Sequence, residues 1–213
     1  MGGEGLSSIK FADINGDGYP DLFAITSKGI VIAYNNGDGS FGIPVVHTLP
    51  AGVNRLWEEA YAATVQMVDI NGDGFPDIVV RGYDAVYYAL NQKDGTFGPF
   101  TVMTPLGGEF SYVKGAYNPS QYKSFAAVNI NGKTGIVIGQ KDGIGFSELG
   151  NVNGKLVFHW NRILSYSYTD LKGWDNARLA SAMLVGKFRD GNDDFLLRRS
   201  DGLYLSLSQV GTQ

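Results

Sequence analysis

Cysteine is absent from this chain. That excludes a disulfide framework, a thiolate metal centre and a cysteine nucleophile. Histidine is scarce: only His47 and His159 occur. They stand far apart in the repeat pattern described below, so each reads as a strand residue rather than a ligand or base. No Ser-His-Asp order, HExxH pair, phosphate-binding glycine loop or pair of catalytic carboxylates can be placed. No apolar run approaches the roughly 20 residues that a membrane helix needs, which excludes helical membrane insertion. The opening Met1-Gly2-Gly3-Glu4-Gly5 is not a signal peptide. Either a signal has been removed or the chain begins inside a longer protein. There is no basic block, and Lys+Arg 17 against Asp+Glu 21 leaves a net charge of −4. That argues against nucleic acid and anionic membrane as partners.

What the chain does contain is glycine, 30 residues of it, with 13% aromatics and an ordinary 44% of hydrophobic residues. Enough apolar material is present for a core, so disorder is not expected. Many glycines among aromatic and β-branched residues point to short strands joined by tight turns.

An internal repeat organises these strands. Phe11-Ala12-Asp13-Ile14-Asn15-Gly16-Asp17-Gly18-Tyr19-Pro20-Asp21 returns as Met67-Val68-Asp69-Ile70-Asn71-Gly72-Asp73-Gly74-Phe75-Pro76-Asp77. A worn third copy is Ala127-Val128-Asn129-Ile130-Asn131-Gly132-Lys133, and a fourth ends in Asp190-Gly191-Asn192-Asp193-Asp194, with Gly186 aligned to Asp13. Apolar segments follow each copy: Leu22 to Ile25, Ile78 to Val80, Ile136 to Ile138 and Phe195 to Leu197. A second set comes after a turn, at Ile30 to Tyr34, Ala85 to Leu90, Ile144 to Phe146 and Leu203 to Leu207. Two units then share the turn Gly37-Asp38-Gly39-Ser40-Phe41-Gly42 and Lys93-Asp94-Gly95-Thr96-Phe97-Gly98. An outer strand follows, Val45 to Leu49 or Phe100 to Met103. Four short antiparallel strands per repeat, and no helical period, predict an all-β β-propeller with four-stranded blades. The expected blades are 5–50, 57–105, 117–166 and 174–213, forming one domain over 1–213. The fourth unit ends after its third strand. The four repeats therefore either close as one ring or belong to a larger propeller, and an open end would favour a homo-oligomer.

The strongest chemistry is the D-x-N-x-D-G-x-x-D spacing. Side-chain oxygens at loop positions 1, 3, 5 and 9 suit one hard cation, and glycine at position 6 permits the tight curl. The expected Ca²⁺ ligands are Asp13, Asn15, Asp17 and Asp21 with the Tyr19 carbonyl, and Asp69, Asn71, Asp73 and Asp77 with the Phe75 carbonyl. All-oxygen ligation fits Ca²⁺ better than Zn²⁺ or copper. An EF-hand is the competing reading, but its position-12 Glu is replaced by Ala24 and Val80. An Asx-rich turn without metal is the other alternative. The third copy is expected to be empty, because Lys133 takes a carboxylate's place. The fourth is expected empty too, with Gly186 and Phe188 at the first two ligand positions.

These residues resemble the FG-GAP/VCBS repeat family. Phe41-Gly42 and Phe97-Gly98 match its Phe-Gly signature, and both Asp loops match its cation motif. Integrin α-chain propellers, a fungal propeller lectin and repeat regions of secreted bacterial proteins and toxins belong to it. The resemblance implies a Ca²⁺-bearing propeller used for adhesion or ligand recognition, in a secreted or cell-surface setting.

A ligand site is expected where aromatics precede each later loop: Trp57, Tyr117 and Trp174, followed by Glu58, Asn118 and Asp175. A flat aromatic beside carboxylates and amides suits a sugar ring. The alternative is an aromatic wedge packed between neighbouring blades. Three functions follow: a carbohydrate-binding, lectin-like module for a glycan or glycoprotein; a protein-interaction scaffold within a larger secreted protein or toxin; and a polysaccharide-acting enzyme. The first is expected and no catalytic group is assigned.

Overall fold

A computed structural model describes residues 9–26, 29–47, 64–81, 86–106, 125–130, 133–140, 143–165, 183–186, 194–199 and 202–206. Every regular element among them is a strand. The chain forms two compact units, Met1–Val102 and Met103–Gln213.

The first unit opens with β1 (Ile9–Ala12), β2 (Asp21–Thr26), β3 (Gly29–Ala33) and β4 (Val45–His47). They form sheet one in sequential order, each pair antiparallel. Sheet two follows the same plan with β5 (Gln66–Val68), β6 (Asp77–Arg81) and β7 (Val86–Ala89), and β8 (Thr101–Leu106) continues its order across the unit boundary. Strand periodicity explains which residues turn inward. Phe23 and Ile25 share one face of β2, Ile30 and Ile32 one face of β3, and Ile78 and Val80 one face of β6; all six are buried, and so are Ala24 and Val79 on the opposite faces. The six meet Ile14, Val65 and Ala89 in one core lying between the two sheets. Burial of each large apolar side chain contributes about 1.5–3 kcal/mol.

Polar contacts pin the sheets together. Tyr34 Oη donates to the Gly95 carbonyl at 2.6 Å, and Asn91 Nδ2 donates to the Ile14 carbonyl at 2.7 Å. The Lys10 ammonium donates to the Val65 carbonyl. Gly16, at φ 78°, lies under the Phe75 ring; a Cβ there would come within 2.7 Å of the ring edge. The His47 ring meets Phe97 edge-to-face with centroids 5.6 Å apart. His47 Nε2 is buried and has no hydrogen-bond partner among the described residues.

The second unit contains β9 (Phe125–Ile130), β10 (Lys133–Gln140), β11 (Gly143–Val152) and β12 (Lys155–Ser165), an antiparallel set in chain order. Asn153 and Gly154 turn β11 into β12 with φ values of 53° and 79°, the left-handed pair that a two-residue hairpin requires. β12 also pairs parallel with the end of β8, Val157 to His159 against Thr104 to Leu106. Separate four-stranded sheets were expected here; instead Thr104 to Leu106, which belong to the second unit, extend the β9–β12 set by one parallel neighbour. Free edges favour such pairing. β13 (Met183–Gly186), β14 (Asp194–Arg199) and β15 (Gly202–Ser206) form a three-stranded antiparallel sheet.

Two consequences can be measured. Gly16→Ala carries a left-handed backbone cost of about 1–2 kcal/mol plus the clash with Phe75. Gly18→Ala, at φ 88° with nothing within 4 Å, carries only the first. Urea unfolding in metal-free buffer should show Gly16→Ala as the more destabilised. Burial also pushes the His47 imidazole below its ordinary 6.5. The unfolded chain then binds the proton more readily, so this contribution is complete above 6.5 and fades as pH falls toward the depressed value. His47→Phe, which keeps the aromatic contact, should flatten the acid side of the stability profile.

Candidate functional site

The loops between β1 and β2 and between β5 and β6 are built alike. Asp13 Oδ1 accepts the N–H groups of Gly16 at 2.8 Å and Asp17 at 3.1 Å, and its Oδ2 accepts Gly18 N–H at 2.9 Å. Asp69 repeats this with Gly72 at 2.7 Å, Asp73 at 3.1 Å and Gly74 at 2.9 Å. Glycine at both of these donating positions is a backbone requirement: φ is 78° and 88° in the first loop, 79° and 89° in the second. Asn15 Oδ1 accepts Asp17 N–H, while its amide donates to Asp17 Oδ2 at 2.9 Å. Asn71 and Asp73 make the same pair at 3.2 Å. Tyr19 and Phe75, expected to offer carbonyls, donate their N–H groups to Asp17 Oδ1 and Asp73 Oδ1.

The last acid of each motif stands apart. Asp21 and Asp77 open β2 and β6 and are fully buried. Asp21 Oδ2 accepts Ile14 N–H at 2.8 Å, and Oδ1 accepts Asn35 N–H at 2.9 Å. Asp77 does the same with Ile70 at 3.0 Å and Asn91 at 2.8 Å. Each thus ties its Asp loop to the start of its Phe-Gly turn. In that turn Gly42 N–H donates to the Tyr34 carbonyl, and Gly98 N–H to that of Leu90. Asn35 and Asn91 were missed from the sequence. The visible signal was an asparagine recurring at one place after each distal Asp, just ahead of the Phe-Gly turn.

The two loops differ electrostatically. Lys93 holds φ 68° where the first repeat has Gly37. Its ammonium lies 3.4 Å from Asp73 Oδ2 and 5.7 Å from the Phe75 ring centroid. Burial raises the Asp73 carboxyl, but the Phe75 N–H, the Asn71 amide and Lys93 together hold it below its ordinary value. Asp77 moves the other way. Burial raises it, the N–H groups of Asn91 and Ile70 oppose the rise, and the charges of Asp73 and Asp69 add to it.

Among the described residues no three acidic or imidazole side chains converge as a metal cluster. The donor chemistry nonetheless fits a hard cation. A carboxylate offers about four lone-pair positions; Asp13 gives three to N–H groups and Asp21 two. Asp13, Asn15, Asp17 and Asp21, and their second-loop counterparts, would hold such an ion.

The degenerate copies have other geometry. β9 and β10 meet across residues 131–132, with Ile130 opposite Lys133. Asn129 is inside a strand, and Lys133 donates to Glu148 Oε2 at 2.8 Å. In the fourth copy Gly186 pairs with Asp194 just as Ala12 pairs with Asp21. Gly186 is therefore the last strand residue, and that loop is one residue shorter than the sequence alignment with Asp13 implied. Trp57, Glu58, Tyr117, Asn118, Trp174 and Asp175 lie outside the described residues, so the expected sugar site is not placed.

Comparison with protein families matches the FG-GAP-like repeat over residues 13–80 and again over 69–132. The chain belongs to the FG-GAP-like repeat family. Both Asp loops and both Phe-Gly turns fall inside the matched repeats. Curated proteins yield no match. Among solved structures, an Agrocybe aegerita lectin, described as recognising non-reducing terminal N-acetylglucosamine, aligns with a TM-score of 0.68 and 22% identity. The alignment covers 94% of this chain and 48% of that one, so the FG-GAP chain spans about half the lectin's length. The Photorhabdus luminescens Tc holotoxin pore aligns with a TM-score of 0.54 and 18% identity, over 93% of this chain and 8% of that one. At these identities the likeness is one of fold.

Asp21→Ala should leave the Ile14 and Asn35 N–H groups without acceptors and cost about 3 kcal/mol in metal-free urea unfolding. Asp17→Ala, at an exposed position, should cost a small fraction of that. Equal losses would overturn the division between a buried tie and a surface ligand.

Proposed function

We propose that this chain is a calcium-stabilised, propeller-type binding module that takes carbohydrate, and that it is not an enzyme. The observation that carries the reading is the pair of matching all-oxygen loops on FG-GAP repeats. Each gathers three aspartates and an asparagine within nine residues, and in the second loop burial, with the charges of Asp73 and Asp69 adding to it, raises Asp77. A divalent cation relieves that repulsion and competes with the Asn15 and Asn71 amide donors for Asp17 and Asp73. In this reading the ions staple strands rather than perform chemistry. The repeats form blades of one propeller, closed within this chain or within a larger ring, in a secreted or cell-surface protein. Glycan binding is supported by the shared fold with a lectin and by the aromatic residues Trp57, Tyr117 and Trp174 beside polar neighbours.

A protein-interaction role within a toxin assembly is the second reading, and the fold likeness to the Tc holotoxin favours it. A glycan array in Ca²⁺ buffer, repeated with chelator, separates the two. Chelator-sensitive binding of terminal N-acetylglucosamine or a related glycan is expected. No glycan signal, together with capture of a protein partner, would overturn the carbohydrate reading. Trp174→Ala should abolish glycan binding while leaving melting unchanged.

Calcium itself is tested by thermal unfolding. At 100 times the dissociation constant, each occupied site should add about 2.7 kcal/mol, reversed by chelator. Asp13→Ala should remove one site's share, and the same melting point with and without calcium would sink the metal assignment.

A further inference from the structure

Lys93 occupies an unusual place in the second Phe-Gly turn. Its φ of 68° lies in the left-handed region, where the first repeat has Gly37 at 78°. A side chain at such an angle carries a backbone cost that glycine avoids. Its neighbours hold it there. Lys93 N–H donates to Asn91 Oδ1 at 2.8 Å, the bond that Gly37 makes to Asn35 in the first repeat. Asn91 N–H in turn donates to Asp77 Oδ1 at 2.8 Å. Gln92 N–H donates to the Thr96 carbonyl at 2.9 Å and closes the turn. The backbone of residue 93 is thus tied to the last acid of the second Asp loop. From that base the ammonium lies 3.4 Å from Asp73 Oδ2 and 5.7 Å from the Phe75 ring centroid. Asp73 and Phe75 stand at loop positions 5 and 7, so both residues that Lys93 meets belong to the expected ligand set.

We propose that Lys93 is a resident counter-ion of the second loop, and that it holds the calcium affinity of that loop below what its oxygen donors alone would give. The inference rests on the calcium reading of the loops and names the residue that sets the affinity of one of them. The physical argument is a competition for one carboxylate. An ammonium and a divalent cation are both drawn to Asp73, and like charges a few ångströms apart repel. When the divalent ion binds, the ammonium either stays and is repelled, or leaves and gives up its ion pair and its place over the ring. Each course subtracts from the free energy of binding. The Lys93 side chain is 54% exposed and that of Asp73 21%. Solvent therefore screens the pair in part, and the expected effect is on the order of tenfold in the calcium dissociation constant. The tie through Asn91 keeps the backbone of residue 93 from drifting away, so the effect is built into the fold of the repeat.

Calorimetric titration of Ca²⁺ into the full chain carrying Asp13→Ala, which leaves the second loop, reads this affinity. Adding Lys93→Gln removes the charge but keeps a side chain at the same backbone angle, and should tighten binding about tenfold. Lys93→Arg, which keeps the charge, should leave binding weak. Raising the ionic strength should narrow the gap between Lys93→Gln and its parent, because the pair is partly exposed. With Asp69→Ala in place of Asp13→Ala only the first loop remains, and the gain from Lys93→Gln should be lost. Calcium binding at the second loop that Lys93→Gln leaves unchanged or weakens would overturn this inference while the calcium reading stands. An equal gain at both loops would overturn it too, as an effect of net charge alone. No calcium binding by any of these chains, the unaltered one included, would instead remove the calcium reading and this inference with it.

Discussion

Two buried carboxylates, Asp21 and Asp77, hold each of the first two repeats in shape. A charge withdrawn from water is tolerated only when its lone pairs are taken up, and here two backbone N–H groups from separate segments do so. One N–H comes from the Asp loop and one from the start of the Phe-Gly turn. The loop and the turn are far apart along the chain and have no direct strand pairing with each other. The aspartate makes them one body, and the outer strand follows from where that body leaves the chain.

The rest of the first unit is arranged around this tie. The loop curls because Asp13 and Asp69 gather successive N–H groups, and only glycine tolerates the backbone angles that result. The curl brings Gly16 to the surface where the ring edge of Phe75 from the next repeat approaches it. The Phe-Gly turn brings Gly95 to Tyr34 and Phe97 to His47. Local turn chemistry and packing between sheets are therefore coupled. The same residues that shape a loop also form the receiving surface for a neighbouring repeat.

The two loops look equal in sequence but are unequal in charge. Lys93 brings an ammonium to Asp73, while the first loop faces Gly37 and the ring of Tyr19. The second loop carries a resident positive charge; among the described residues no ion pair is made to the first. Where carboxylates share a small volume, such a neighbour decides how strongly the cluster seeks a counterion.

Much of this was legible in the chain itself. Short apolar runs such as Leu22 to Ile25 and Ile78 to Val80, punctuated by Gly and Asp, marked the strands, and the recurring Asp and Phe-Gly motifs marked the repeats, because turn and strand preferences act over a few residues. The recurrence of the two Asp loops was legible for the same reason. The tertiary structure alone decided what depends on distance in space. It showed that Asp21 and Asp77 serve backbone N–H groups, that Lys93 reaches Asp73, and that β12 pairs with β8. It also paired Ile130 with Lys133 in the third copy and moved Gly186 into a strand. Register and edge pairing are set by which surfaces meet after collapse, and no spacing within a single repeat encodes them.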